Sequence, residues 1–161
     1  MKLRFVFYKA KIDGRPLDDA INIWTGILAL FSGWGRLKYN YSHAEVWLPD
    51  EQGYFKMHWR VGGHVLRGRC FSSTTRGSFT GVRFENAKIV LKNEARWDWL
   101  EFEVDNERYE VVCELMAQEE GKPYDYAGLF SFFNPFNTQK KDAWYCSEIC
   151  SWAAWLASDS D

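Results

Sequence analysis

Two segments place side chains that could work together as nucleophile and base. Cys146 sits in Trp144-Tyr145-Cys146-Ser147-Glu148-Ile149-Cys150, which reads as a helix opening on a cysteine. A thiol at a helix N-terminus feels the positive end of the macrodipole, which favours the thiolate. His43 sits in Tyr41-Ser42-His43-Ala44-Glu45-Val46-Trp47-Leu48, which reads as a strand. An imidazole beside that thiol would take its proton and make it a nucleophile toward amide or ester carbonyls. Such a pair also needs a group that fixes the imidazole tautomer. Glu45 is two residues from His43 on the same strand face, about 7 Å along the strand. His58 would come alongside His43 if the next strand formed a hairpin with the first. By spacing alone, Cys146 also fits an inert packed cysteine, and Cys150, one turn further in, fits nothing else. His43, His58 and His64 show no recognised metal-ligand spacing, so no metal or other cofactor is expected.

The elements that must position these residues follow from periodicity. Residues 3–8 read as a short strand. Pro16, with Asp18 and Asp19 beside it, suits the first turn of a helix. Ile21, Trp24, Leu28 and Phe31 continue that helix as a stripe, and Gly33 and Gly35 end it. Tyr41 to Leu48 switches to period two, with His43, Glu45 and Trp47 on one face and Ala44, Val46 and Leu48 on the other. Tyr54 to Val61 reads as the next strand of a hairpin. Short strand-like pieces follow around Val65-Leu66, Cys70-Phe71, Val82-Phe84 and Ile89-Leu91, then a strand from Trp97 to Val104. Asp105 caps a helix carrying Tyr109, Val112, Cys113 and Met116 on one face. Gly121 and Pro123 stop it. Tyr124 to Gln139 reads as an aromatic loop or a short helix and a loop. The final helix, 145–157, aligns Cys146, Ile149, Cys150, Ala153 and Leu156. An antiparallel sheet bracketed by helices, hence an α+β fold, is the expectation.

Composition narrows the partners. The 161 residues suffice for a single domain with a real core, spanning 1–161. A net charge of −2 and a pI near 5.9 give no electrostatic reason to expect nucleic acid or an anionic membrane. Nine Trp, eight Tyr and twelve Phe either fill a core or line a groove for an extended peptide, glycan or acyl chain. The start is too interrupted for a signal peptide, and the apolar run Ile21–Phe31 is too short to span a bilayer. A cytoplasmic setting with reduced thiols is therefore expected for the four cysteines, which form no CxxC pair.

Three segments carry a resemblance. Ser42-His43-Ala44-Glu45-Val46 is similar to a Ser-His-x-Glu-Leu/Val histidine strand. Gly121-Lys122-Pro123-Tyr124-Asp125-Tyr126-Ala127-Gly128 is similar to a Gly-x-x-Tyr-Asp-Trp-x-Gly stretch, and Tyr145-Cys146-Ser147-Glu148 to a Tyr-Cys-Ser-Glu nucleophile helix. Together these resemble the permuted papain-like amidases of the NlpC-type superfamily, a group that includes the YaeF/YiiX-like hydrolases and relatives in phage genomes. A weaker match joins Cys70-Phe71-Ser72-Ser73 and Gly81-Val82-Arg83-Phe84 to a pattern of the phage-like members. The order, histidine first and cysteine last, is the order a circular permutation requires.

The resemblance implies a papain-like fold, with a central antiparallel sheet packed against the C-terminal cysteine helix. It implies Cys146 as nucleophile, His43 as base and Tyr124 as a residue bordering the site that helps hold the oxyanion. The segment Pro49 to Arg69 looks longer than the family's usual turn, which leaves His58, Glu45 and Ser73 all open as the residue orienting His43. The activity expected is that of a cysteine amidase or peptidase acting on a peptide, amide or acyl ester through an acyl-thioester. Two alternatives stand beside it: an acyltransferase using the same dyad, and a non-catalytic papain-like binding module or phage accessory protein. Substrate identity and oligomeric state are not legible.

Overall fold

The computed structural model describes residues 1–9, 41–49, 60–61, 64–65, 68–76, 79–130 and 142–158. The helix expected over residues 16–31 lies outside them, as does His58. The elements are β1 (Lys2–Lys9), β2 (Tyr41–Leu48), β3 (Arg60–Val61), β4 (His64–Val65), β5 (Arg69–Thr74), β6 (Gly81–Asn86), α1 (Ala87–Val90), a 3-10 turn (Glu94–Arg96), β7 (Trp97–Glu103), α2 (Asn106–Gln118), α3 (Tyr126–Phe130) and α4 (Cys146–Ala157).

Five strands form one antiparallel sheet in the order β6-β5-β2-β1-β7, so the histidine strand lies at its centre. The alternation of β2 works as period two demands. Ala44, Val46 and Leu48 join Leu3, Phe5, Phe71, Val82 and Phe84 in the core, against Ile149, Cys150 and Ala153 of α4 and Val112 and Met116 of α2. The fold is thus α+β, a central antiparallel sheet packed against helices that include a C-terminal helix bearing cysteines. Ile149 and Phe71 are fully buried, and each such side chain contributes about 1.5–3 kcal/mol relative to exposure.

Capping explains where the helices begin. Asp105 accepts from the Arg108 N–H at 2.8 Å, a cap contributing about 1 kcal/mol. The chain leaves α2 through Gly121, whose φ of 88° lies in the left-handed region that glycine adopts without steric cost. The turn then locks onto β6. Val82 N–H donates to the Lys122 carbonyl at 2.8 Å, and Gly121 N–H to the Val82 carbonyl at 2.9 Å. Gly81, with a φ of 132°, sits so close to the Lys122 carbonyl that a Cβ there would overlap it.

Two expectations are corrected. The strand expected at Ile89–Leu91 is instead the short helix α1, because Asn86 catches the Lys88 N–H at 2.9 Å and only Ala87 is buried, Ile89 facing solvent. The hairpin expected between β2 and residues 54–61 does not hold for its described part. Arg60–Val61 pairs with His64–Val65 in a separate two-stranded sheet, and the neighbours of β2 are β1 and β5.

Candidate active site

The site forms where the sheet opens. The ladder between β2 and β5 runs from Leu48↔Arg69 to Val46↔Phe71. In an antiparallel strand the N–H and C=O of one residue point to the same side, and alternate residues share that side. The Leu48 carbonyl accepts from Gly68 N–H at 2.9 Å on the β5 side, so Ala44 also turns both its polar groups that way. Its carbonyl takes the Ser72 hydroxyl at 2.7 Å. Its N–H donates to the sulfur of Cys146, as does the N–H of Ser147. The start of α4 therefore enters at the end of the β2–β5 ladder.

A clip before α4 fixes that entry. Tyr124 and Trp144 form a parallel bridge, with Trp144 N–H donating to the Pro123 carbonyl at 3.2 Å and Asp125 N–H to the Trp144 carbonyl at 3.0 Å. The Trp144 carbonyl also takes the Ser73 hydroxyl at 2.5 Å, and the Trp144 indole donates to Glu119 at 2.5 Å. Buried Asp125 receives the Gly128 N–H at 2.8 Å, and a Cβ on Gly128 would collide with the same carboxylate. The Tyr-Asp-Tyr-Ala-Gly stretch thus sets the position of Cys146 through backbone bonds.

At the centre, His43, Glu45 and Cys146 are all buried. His43 Nε2 stands 2.9 Å from Glu45 Oε1, and the same ring hydrogen-bonds Cys146. With Nε2 committed to the carboxylate, Nδ1 is the nitrogen that serves the thiol. Glu45 is also held by both terminal nitrogens of Arg83, Nη2 donating to the same Oε1 at 3.0 Å and Nη1 to Oε2 at 3.3 Å. The Trp97 and His43 rings meet at a steep angle, with centroids 6.4 Å apart.

The charges follow from these contacts. Burial alone would raise the Cys146 thiol, but the His43 hydrogen bond and charge, with the two N–H donors, hold it below an ordinary thiol. Burial alone would lower His43, but Cys146 and then Glu45 raise it above the usual imidazole value. Glu45 is held below the usual carboxylate range: its burial is outweighed by His43 and Arg83. Both shifts move the pair toward a thiolate facing an imidazolium. The macrodipole of α4 adds in the same direction.

Among the residues singled out from the sequence, Cys146, His43 and Glu45 meet. Tyr124 is buried beside the backbone two residues before Cys146, its ring packed on Tyr126 at 4.9 Å. Ser73 is committed to the Trp144 carbonyl. His58 lies outside the described residues, and His64 opens the separate β4. Two contributors escaped the sequence reading, the Ala44 N–H and Arg83. Arg83 carried no signal of this: between buried Val82 and Phe84 it falls on the opposite strand face, and its pairing with Glu45 in β2 follows only from the sheet.

The arrangement can generate a nucleophilic sulfur and return a proton to a leaving group. No protein-family model matches the chain, and no curated protein or solved structure matches it.

Proposed function

We propose that this protein is a cysteine-dependent hydrolase, an amidase or peptidase, with the circularly permuted papain-like arrangement of the NlpC-type superfamily. The observation that carries the reading is the lowered thiol of Cys146 in contact with a His43 ring whose other nitrogen is held by Glu45 at 2.9 Å. His43 takes the thiol proton, and the sulfur attacks an amide or ester carbonyl carbon. Tyr124 and the first N–H groups of α4 hold the developing oxyanion. The imidazolium then protonates the leaving amine or alcohol, which departs to leave an acyl-thioester on Cys146. His43 next removes a proton from water, whose oxygen attacks the thioester, and the acid leaves as the thiol is restored. A second acyl acceptor in place of water would make the same centre an acyltransferase.

Glu45 and Arg83 act in this scheme as positioning residues. Glu45 fixes the tautomer that presents Nδ1 to sulfur, and Arg83 keeps Glu45 ionised and still. A cytoplasmic setting belongs to the same proposal, since reduced cysteines persist there. Among the described residues, no helix is long and apolar enough to cross a membrane.

The test is a panel of aryl amides and aryl esters of differing acyl chains, with the Cys146 peptide followed by mass spectrometry. The expected result is an acyl adduct on Cys146 that hydroxylamine removes, with turnover lost in Cys146→Ala. Accumulation of an adduct that water leaves intact but an added amine or alcohol discharges would identify the transferase outcome. Turnover unchanged in Cys146→Ala would overturn both.

A further inference from the structure

Two helices open side by side at the cysteine. Tyr124 and Trp144 form a parallel bridge. Two residues beyond it each segment turns into a helix, α3 at Tyr126 and α4 at Cys146. The residues in between stay together. A Cβ on Gly128 would stand 3.3 Å from Tyr145 Cδ1 and would overlap the Asp125 carboxylate. Burial raises the Tyr145 phenol, and the charges of Glu148, Cys146 and Asp125 raise it further, so both segments and the thiol surround one side chain. Paired strands lie about 4.8 Å apart, and the register of the bridge brings Tyr126 level with Cys146.

Tyr124 and Tyr126 are alternate residues whose rings meet, with centroids 4.9 Å apart and planes tilted by 55°. Their surroundings differ. Tyr124 is buried, whereas Tyr126 is 46% exposed. A lone exposed ring is an ordinary surface feature, and it is the position of this one that gives it a use. Trp99, Leu100 and Phe102 are exposed on β7, at the edge of the sheet. Trp155 is exposed nine residues along α4 from Cys146, about 13 Å of helix. Tyr126 instead packs on the ring proposed above to hold the oxyanion, and it opens its helix in register with the nucleophile. Aromatic rings prefer offset or tilted partners with centroids about 4.5–7 Å apart. The exposed part of Tyr126 can offer a ligand ring the same kind of contact that its buried part makes with Tyr124.

We propose that Tyr126 is a specificity-determining residue of the Cys146 centre, packing against an aromatic group that the substrate carries beside its scissile bond. The inference rests on the reading of Cys146 as nucleophile and adds to it a substrate class, aromatic amides and esters. Tyr126 contributes ring area rather than a proton, so phenylalanine should replace it.

The test compares iodoacetamide with N-benzyl iodoacetamide at Cys146. Both reagents form the same carbon–sulfur bond and release iodide, and they differ only in the ring. The ratio of their rates at Cys146, divided by their ratio at glutathione, reports ring recognition and cancels the reactivity of the thiol. Wild type is expected to favour the benzyl reagent about 3- to 10-fold on this scale. Tyr126→Ala and Tyr126→Gln should bring the normalised ratio near unity, and Tyr126→Phe should keep it. Trp155→Ala, which removes an exposed ring far along α4, should leave it unchanged. Fast modification by iodoacetamide with no preference for the benzyl reagent, or a preference equal in wild type and Tyr126→Ala, overturns the subsite alone. Slow modification by both reagents, following the pH profile of an ordinary thiol, overturns the nucleophile reading and the subsite with it.

Discussion

Cys146 and Cys150 occupy the same helix one turn apart, both buried, yet their thiols move in opposite directions. Cys150 sits in the core beside Ile149 and Ala153. Burial pushes it well above an ordinary thiol, the negative charges of Cys146 and Glu45 push the same way, and the Ser72 hydrogen bond offsets little of this. Cys113, on α2, is pushed up to about 12 for the same leading reason. Cys146 meets the same desolvation but also a hydrogen-bonding imidazole and two backbone N–H donors, and these prevail. Burial alone thus makes a cysteine inert. The turn of helix that reaches past the end of the β2–β5 ladder is what holds one of them below an ordinary thiol.

That contrast can be broken at several strengths. The largest effect is expected from Cys146→Ala, which should abolish turnover and remove the fast-alkylating thiol, while Cys150→Ala keeps both. Site-resolved mass spectrometry separates the two, and fast alkylation at Cys150 in the wild-type protein would break the comparison. Next come the positioning residues. Arg83→Gln leaves buried Glu45 with the His43 ring as its remaining partner, a loss smaller than the roughly 3–5 kcal/mol of a fully broken buried pair. Denaturant unfolding measures the loss. The same variant should weaken alkylation most below pH 7, and Arg83→Lys should restore part of that profile. A purely structural role would lower stability without moving the profile.

Smaller still is the acid response of Glu45. Its folded pKa is depressed, so its contribution to stability is present above the unfolded carboxylate value and is lost as pH falls through the folded one. The stability difference between wild type and Glu45→Gln should therefore be greatest above about pH 4.5 and shrink in more acid solution. A difference constant down to pH 2 would mean that Glu45 carries no charge in the fold. The smallest effect is expected from Cys150→Ala, a cost of about 1 kcal/mol for one buried sulfur, with the Cys146 alkylation rate retained.

Much of this was legible from residue types. The strand of His43, the Asp105 cap, the stripe of α2 and the helix opening at Cys146 all follow from periodicity and capping, because each depends on neighbours within one or two turns. What escaped depends on partners distant in the chain. Glu45 could not be chosen over His58 or Ser73 from spacing, since that choice required knowing that β2 lies between β1 and β5. Arg83 became a member of the site only through its cross-sheet reach to Glu45, 38 residues away. The Ala44 N–H carries no side-chain signal at all, being freed by the end of a ladder. The run Ile89-Val90-Leu91 misled because three consecutive apolar residues resemble a strand until the Asn86 cap is taken into account.

The most direct test of the central claim is the rate of iodoacetamide alkylation at Cys146 against pH, in wild type and His43→Ala. A thiolate held by an imidazolium predicts fast modification that persists below pH 7 and falls about 10- to 100-fold there in the variant. A rate that follows an ordinary thiol of pKa about 8.5, equal in both proteins, would contradict the account.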